Sequence, residues 1–258
     1  MHPNISEFSY GFAVTDELIY WHGTSITAAP VFPSLYQEGQ QGGGYDVMIQ
    51  RDGIPLFLQF KLSYCMVRQY AREAHLGLLP LPYYRMYLRP AKHSNQHEML
   101  LDLETAGNEV YYSAPAFHQS WELNEAYLKH IVISRSEWIR PWFIGPLPDD
   151  DEHYIAFKQP NSLVFCSEPK RIQGKYGYDD FKNTVLSRVE KEGKVALKID
   201  NLSKLANTIA EISQKRIDIP PKVQESTREE LRKRHPLAQI AFYALTYLDT
   251  QLFIVQGK

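Results

Sequence analysis

Alternation of apolar and polar residues predicts strands in the first half of the chain. Tyr45–Ile49 alternates between two faces, and Pro55–Leu62 is an almost continuous apolar run. A short run of this second kind is typical of a strand in a sheet that is covered on both faces. Tyr83–Leu88 and Glu109–Ala114 read as further strands, and Pro115 ends the last one. The pattern therefore predicts four strands of one mixed sheet.

Helical periodicity predicts the elements between and after these strands. The first helix is predicted at Ile5–Tyr20, with Ser6 as its cap. Tyr64–Leu76 and Gln96–Thr105 follow as helices. Shorter elements are predicted at Leu123–Tyr127 (helix) and at Ile131–Ile133, Tyr154–Phe157 and Leu163–Cys166 (strands), and later helices at Asp179–Glu190, Leu202–Ile212 and Leu237–Leu248.

This order of elements predicts an α/β fold, a mixed central β-sheet flanked by helices. Residues 1–175 are expected to form the core with inserted strands. Residues 176–258 are expected to form a helical C-terminal region that packs on this core. The length of 258 residues and the apolar content of 44% are sufficient for one large domain of this kind.

Charge and cysteine content narrow the classes of protein to consider. The net charge of −2 excludes a strongly basic nucleic-acid binder, so a phosphate-binding surface would have to come from local clustering. The two cysteines provide no disulfide framework. No apolar run approaches the ~20 residues that span a bilayer, and the first residues do not resemble a signal peptide. We expect a cytoplasmic protein without a membrane partner.

Polar residues interrupt the apolar strand at its end. Gln59 and Lys61 alternate with Phe60 and therefore share one face of the strand. A lysine in such surroundings is rare unless it is paired. A hairpin would bring Asp46 beside these two residues, and Glu38 precedes the glycine run before Asp46. We therefore expect acid, amide and lysine to meet at one edge of the sheet.

These residue types match the needs of phosphodiester cleavage, which neutralises phosphate charge and activates a water. Mg²⁺ prefers hard oxygen ligands. Asp46 and Glu38 would supply carboxylates, and Gln59 an amide oxygen. Lys61 would hold the attacking water or oppose the developing charge. We therefore expect Mg²⁺, or Mn²⁺ in its place, as the cofactor.

Glu38, the GGGYD stretch with Asp46, and the QFK stretch with Gln59 and Lys61 resemble the PD-(D/E)XK nuclease superfamily. The pattern is most similar to the branch related to Mrr-type restriction enzymes, in which Q-x-K replaces the acidic third motif. The resemblance covers roughly residues 5–120. It implies a restriction-endonuclease-like core, a metal-dependent nuclease acting first of all on DNA, and a role in defence or nucleic-acid processing.

Two departures from the family pattern keep a second function open. Tyr45 stands where the family has proline, and Gln59 stands where many relatives have a carboxylate. A weakened metal site is the expected consequence of the second change. The alternative is therefore a degenerate member of the same fold that binds nucleic acid or protein without hydrolysis.

Four further residues are candidates for contact with nucleic acid. Arg68 and Arg72 are four positions apart on the predicted helix that follows Lys61, where they would meet phosphates. Arg85 on the next strand and Gln96 at a helix start complete the set. An ordinary solvated helix face is the alternative for the two arginines. A homodimer is left open.

For other polar residues the sequence gives weaker evidence of a functional role. Glu7 and Glu17 lie on the first predicted helix, where a solvated position is favoured over a place in a site. His93 and His97 have the spacing of a zinc-binding pair. However, His93 falls outside the predicted helix, and no glutamate follows it as in H-E-x-x-H. A zinc site is therefore the less favoured alternative.

Overall fold

The computed structural model describes residues 1–20, 24–26, 52–160, 162–174, 177–217, 226 and 229–257. The predicted strand Tyr45–Ile49 and the predicted carboxylates Glu38 and Asp46 lie outside these residues.

The helices with defined bounds are α1 (Glu7–Ile19), α2 (Arg72–His75), α3 (Gln96–Thr105), α4 (Ser120–Leu128), α5 (Pro141–Ile144), α6 (Tyr178–Ala196), α7 (Ile199–Arg216) and α8 (Pro236–Thr246). The strands are β1 (Thr24–Ile26), β2 (Gly53–Phe60), β3 (Ser63–Met66), β4 (Tyr83–Leu88), β5 (Glu109–Pro115), β6 (Ser136–Ile139), β7 (His153–Lys158), β8 (Ser162–Phe165), β9 (Lys170–Arg171) and β10 (Gln251–Gly257).

Sheet A contains the candidate strand β2 near its centre. Its order is β1-β10-β2-β5-β6, with β2 parallel to β5 and antiparallel to β10. The predicted mixed sheet flanked by helices is therefore confirmed. Within the described residues, both neighbours of β2 come from later in the chain, whereas the sequence predicted a hairpin with a preceding strand.

Sheet B is a second, entirely antiparallel sheet of order β3-β4-β7-β8-β9. The sequence predicted β4 as an added strand of a single sheet, and β7 and β8 as a further pair. The chain passes directly from β2 in sheet A to β3 in sheet B, so that Lys61 lies at the junction of the two sheets.

Two local predictions are wrong. The helix predicted at Tyr64–Leu76 is a strand over Ser63–Met66, followed by a helix of only four residues at Arg72–His75. All four residues of Ser63–Met66 pair with β4. This pairing outweighs the helical pattern because it provides hydrogen-bond partners for the backbone amides and carbonyls of the strand. The strand predicted at Ile131–Ile133 is a turn, and β6 begins three residues later.

Both faces of β2 are buried, as the apolar run predicted. Phe57 packs in a cluster with residues of α3, α7 and α8. Leu56, Leu58 and Phe60 pack on the other side with residues of α1 and α6. Burying one such side chain stabilises the fold by about 1.5–3 kcal/mol. Gly11 allows α1 to approach, because an added Cβ would lie 2.9 Å from the Phe60 ring.

The C-terminal region is not purely helical. The predicted helices are present as α6, α7 and α8, but β10 then enters sheet A between β1 and β2. Gln251 at its start pairs with Leu58 near the end of β2. The turn before β10 is thereby placed beside Lys61. No helix among the described residues has the length and apolarity needed to cross a membrane.

Candidate active site

The candidate site lies where β2 ends. Its neighbours there are β5, the first turn of α3 and the turn between α8 and β10. The Lys61 amide donates to the Ser113 carbonyl of β5 at 2.9 Å, which fixes the backbone just past the strand. Side chains from four separate parts of the chain can therefore meet at this point.

A chain of hydrogen bonds joins the predicted amide and lysine. The Lys61 ammonium donates to Gln96 Oε1 at 3.0 Å, and Gln96 Nε2 donates to Gln59 Oε1 at 2.8 Å. Lys61, Gln59 and Gln96 are only 6%, 3% and 4% exposed. Such a network holds its members in one geometry because each buried polar group depends on its partner. Gln96 is therefore the residue that positions Lys61 against Gln59.

The same Gln96 amide reaches the turn before β10. Its Nε2 donates to the Leu248 carbonyl at 3.2 Å and to Asp249 Oδ2 at 3.1 Å. Asp249 has φ of 50°, a left-handed conformation that aspartate tolerates better than most residues. Arg89, just past β4, lies 3.9 Å from the Asp249 carboxylate. Asp249 and Arg89 thus form the solvent-facing rim of the site.

Burial and neighbouring charges shift the pKa values of the ionisable groups at the site. The pKa of Lys61 is lowered to about 8, mainly by burial and also by Arg89, although the carboxylates of Glu7 and Asp249 oppose the change. The pKa of Glu7 is raised, first because surrounding protein atoms desolvate the carboxyl and then through Asp249, while Lys61 and Arg89 act in the opposite sense. Lys61 is therefore an ammonium flanked by carboxylates.

The predicted nucleic-acid contacts have different surroundings. Arg68 and Arg72 are exposed, but Arg68 precedes α2, so the predicted arrangement of both on one helix face is wrong. Arg85 donates through Nε to Glu73 at 2.6 Å, and Tyr83 donates to the same oxygen. Arg85 is therefore engaged within the protein. Gln96 lies inside the hydrogen-bond chain rather than on the surface.

The histidine pair does not come together as a metal site. His97 is buried, with Nδ1 2.9 Å from the Tyr112 hydroxyl and Nε2 2.8 Å from the Gly145 carbonyl. Burial lowers its pKa. His93 is exposed on the loop before α3. Across the described ranges, no group of three or more His, Cys, Asp or Glu side chains is arranged to hold a metal ion.

The oxygen donors at the site are of the kind that Mg²⁺ takes. Gln96 Oε1 accepts directly from Lys61, the Gln59 amide oxygen is linked to Lys61 through Gln96, and the Glu7 carboxylate interacts electrostatically with Lys61. The predicted carboxylates Glu38 and Asp46 lie outside the described residues. The described donors therefore fit a hard divalent cation in type, whereas the predicted carboxylate ligands stay a prediction.

Sequence reasoning did not assign a role to three of these residues. Glu7 was judged solvated, and it is exposed as predicted, but its electrostatic interaction with Lys61 was not foreseen. Asp249 and Arg89 were not considered. Asp249 lies 153 positions from Gln96, and no local pattern shows that they touch. Only the placement of β10 beside β2 reveals it.

No protein-family model, curated protein or solved structure matches this chain. The interpretation of the site therefore depends on its own residues and their geometry.

Proposed function

We propose that this protein is a metal-dependent nuclease that hydrolyses phosphodiester bonds, with DNA as the first substrate to test. The observation that carries this proposal is the buried Lys61 ammonium, held by Gln96 against Gln59 and flanked by Glu7 and Asp249. A buried ammonium costs free energy unless it is paired. A positive charge held at the end of an apolar strand is what a site for an anionic substrate requires.

The proposal extends to the fold. In it, β2, α3 and β5 form the centre of a restriction-endonuclease-like core, with the Q-x-K residues at the end of β2. The support is the parallel pairing of β2 and β5 and the position of the α3 start beside Lys61. Carboxyl ends of parallel strands are frequent places for ligand sites.

Each residue has a role in this proposal. Glu38, Asp46 and Gln59 hold the cation, and Glu7 adds a fourth oxygen donor beside Lys61. When bound, Mg²⁺ or Mn²⁺ neutralises phosphate charge and makes a water more acidic. Lys61 orients the attacking water or stabilises charge on the phosphate in the transition state. Gln96 positions Lys61. Defence against foreign DNA is the cellular role that the sequence resemblance favours.

The test is cleavage of labelled single-stranded and duplex DNA, and of RNA, with Mg²⁺ or Mn²⁺. We expect the wild-type protein to cut and Lys61→Met to lose at least about 100-fold in rate, because loss of one preorganised charge-stabilising group costs that much. Lys129→Met, which removes an exposed lysine just past the end of α4, is the matched control. Equal cutting by wild type and Lys61→Met would refute the assignment.

One observation favours the alternative, a binding module without hydrolysis. Both ends of the Gln59 amide are engaged: Oε1 accepts from Gln96, and Nε2 donates to the Phe60 carbonyl at 3.0 Å. An amide oxygen already in a hydrogen bond is a poorer cation ligand. Two titrations of wild type and Asp46→Ala, one with Mn²⁺ and one with labelled DNA, separate the two functions. A nuclease loses Mn²⁺ binding in this variant, whereas a binding module keeps its affinity for nucleic acid unchanged.

A further inference from the structure

The outer face of sheet B carries three tyrosines that are partly exposed: Tyr64 on β3, Tyr87 on β4 and Tyr154 on β7. Tyr87 pairs directly with Tyr154, and Tyr64 pairs with Arg85, two residues from Tyr87. Residues that face each other or lie two apart share one side of a sheet. The three rings therefore lie on one side, here called the tyrosine face.

The rings are close to one another. The centroids of Tyr87 and Tyr154 are 5.3 Å apart, and those of Tyr64 and Tyr154 are 6.4 Å apart. The Arg85 guanidinium lies 5.6 Å from the Tyr154 ring. The tyrosine face is thus a group of aromatic rings with a planar cation beside it.

Other parts of sheet B are covered. Met86, Ile155 and Phe157 point to the opposite side and pack in the main core. On the outer side, Ala74 and Leu79 of the segment between β3 and β4 pack over its far end. The tyrosine face is the part of the outer side that these two residues do not cover, and the His2 ring packs edge-on against Tyr64 at its border.

The tyrosine face extends along β4, which has one end at the rim of the candidate site. β4 ends next to Arg89, which lies at the rim formed with Asp249. Its six residues span about 20 Å. At its other end is the segment that carries Arg68 and Arg72, both exposed. Neither has an ion pair within the described residues. Guanidinium groups thus stand at both ends of the aromatic surface.

We propose that the tyrosine face is a track on which one unpaired strand of nucleic acid lies as it enters or leaves the candidate site. This inference rests on the proposed function and adds the substrate class, a strand with exposed bases. Rings of tyrosine stack on any base because every base has a π-face. The arginines at the two ends suit the phosphates of the same strand.

Several carboxylates oppose this occupant: the exposed residues Asp149, Asp150 and Asp151 lead directly into Glu152. Glu152 is exposed next to the tyrosine face and accepts a hydrogen bond from the Tyr154 hydroxyl at 3.2 Å. A carboxylate there repels phosphate, and the repulsion is strongest at low ionic strength. Glu152→Gln should therefore bind a single strand more tightly than wild type, by a factor that shrinks as salt is added.

The test is fluorescence anisotropy with a labelled 20-nucleotide single strand and with the matching duplex, in EDTA and on the Lys61→Met background so that no cleavage occurs. We expect Tyr87→Ala and Tyr154→Ala each to weaken single-strand binding by roughly 5- to 150-fold. Tyr154→Phe keeps the ring and should bind like the parent. Trp121→Ala removes an exposed ring on α4, outside sheet B, and is the matched control.

Cross-linking gives a second measurement that needs no substitution on the tyrosine face. A strand that contains 5-iodouracil is irradiated on the parent protein, and the linked residues are mapped by mass spectrometry. Links to Tyr64, Tyr87 or Tyr154 support the track. Links that fall only elsewhere would overturn the track. In the anisotropy measurement, two results would also overturn it: folded alanine variants that bind the single strand like the parent, or a Trp121→Ala variant that loses as much affinity as they do.

The two proposals fail in different ways. Single-strand binding without cleavage by the wild-type protein removes the nuclease and leaves the track. Cleavage that is unaffected by Tyr87→Ala and Tyr154→Ala removes the track and leaves the nuclease. A parent protein that binds neither oligonucleotide overturns the track.

Discussion

Glu137 is the described acidic residue whose environment suits it least. It lies on the edge strand β6 with only 1% of its surface exposed. Within the described part of the chain, neither carboxyl oxygen meets the geometry of a hydrogen bond. Burial raises its pKa from 4.5 to about 8, although the nearby Gln159 side chain opposes this shift. We therefore expect Glu137 to be protonated in the folded protein at neutral pH.

This shift makes stability depend on pH. The folded protein holds a proton that the unfolded chain releases above pH 4.5, so unfolding becomes easier as the pH rises. The loss is complete near pH 8, where the folded group also ionises. A shift from 4.5 to about 8 corresponds to about 5 kcal/mol over this interval. At pH 7 the loss is about 3 kcal/mol.

Glu137→Gln removes this dependence, because glutamine has nearly the same shape and no charge at any pH. Urea unfolding followed by tryptophan fluorescence should give nearly equal free energies for variant and wild type at pH 5. At pH 8 the variant should be more stable by several kcal/mol. Glu125→Gln, on the exposed surface of α4, is the control and should follow wild type at both pH values. Parallel pH profiles for wild type and Glu137→Gln would refute the reasoning.

Two further substitutions test how the fold is held together. Glu73→Ala leaves the Arg85 guanidinium and the Tyr83 hydroxyl without their shared acceptor; urea unfolding should show a loss of about 3 kcal/mol, the low end for breaking a buried pair, because Arg85 keeps some contact with solvent. Tyr10→Phe removes a hydroxyl that is 2.7 Å from each of two serine hydroxyls; the same measurement should show a loss of about 1–2 kcal/mol, and an unchanged midpoint would contradict it.

Local patterns were sufficient where local forces decide the structure. Ser6 caps α1 as predicted, accepting from the Ser9 amide at 3.0 Å. The predicted bounds of Tyr83–Leu88 and Gln96–Thr105 are those of β4 and α3. In these segments the periodicity of apolar residues and the turn residues at each end agree.

Where distant pairing decides, the sequence was misleading. Ser63–Met66 has an apolar pattern that suits a helix, and only the partner strand β4 makes it a strand. No strand was predicted after the helix at Leu237–Leu248, yet Phe253 of β10 pairs there with Leu56 of β2. The same limit applies to the site. The alternation around Phe60 correctly placed Gln59 and Lys61 on one face, but Asp249, which also accepts from Gln96, comes from the other end of the chain.

The position of β10 explains why the candidate site and the C-terminal region cannot be treated separately. Sheet A continues from β2 to β1 only through β10, so this strand covers an edge that β2 would otherwise expose. The register that pairs Gln251 with Leu58 also fixes where Asp249 lies. Gln96 then connects this turn to Lys61. A change in the packing of α8 or β10 therefore alters the hydrogen bonds of the lysine, although neither element contributes a residue to the Q-x-K pattern.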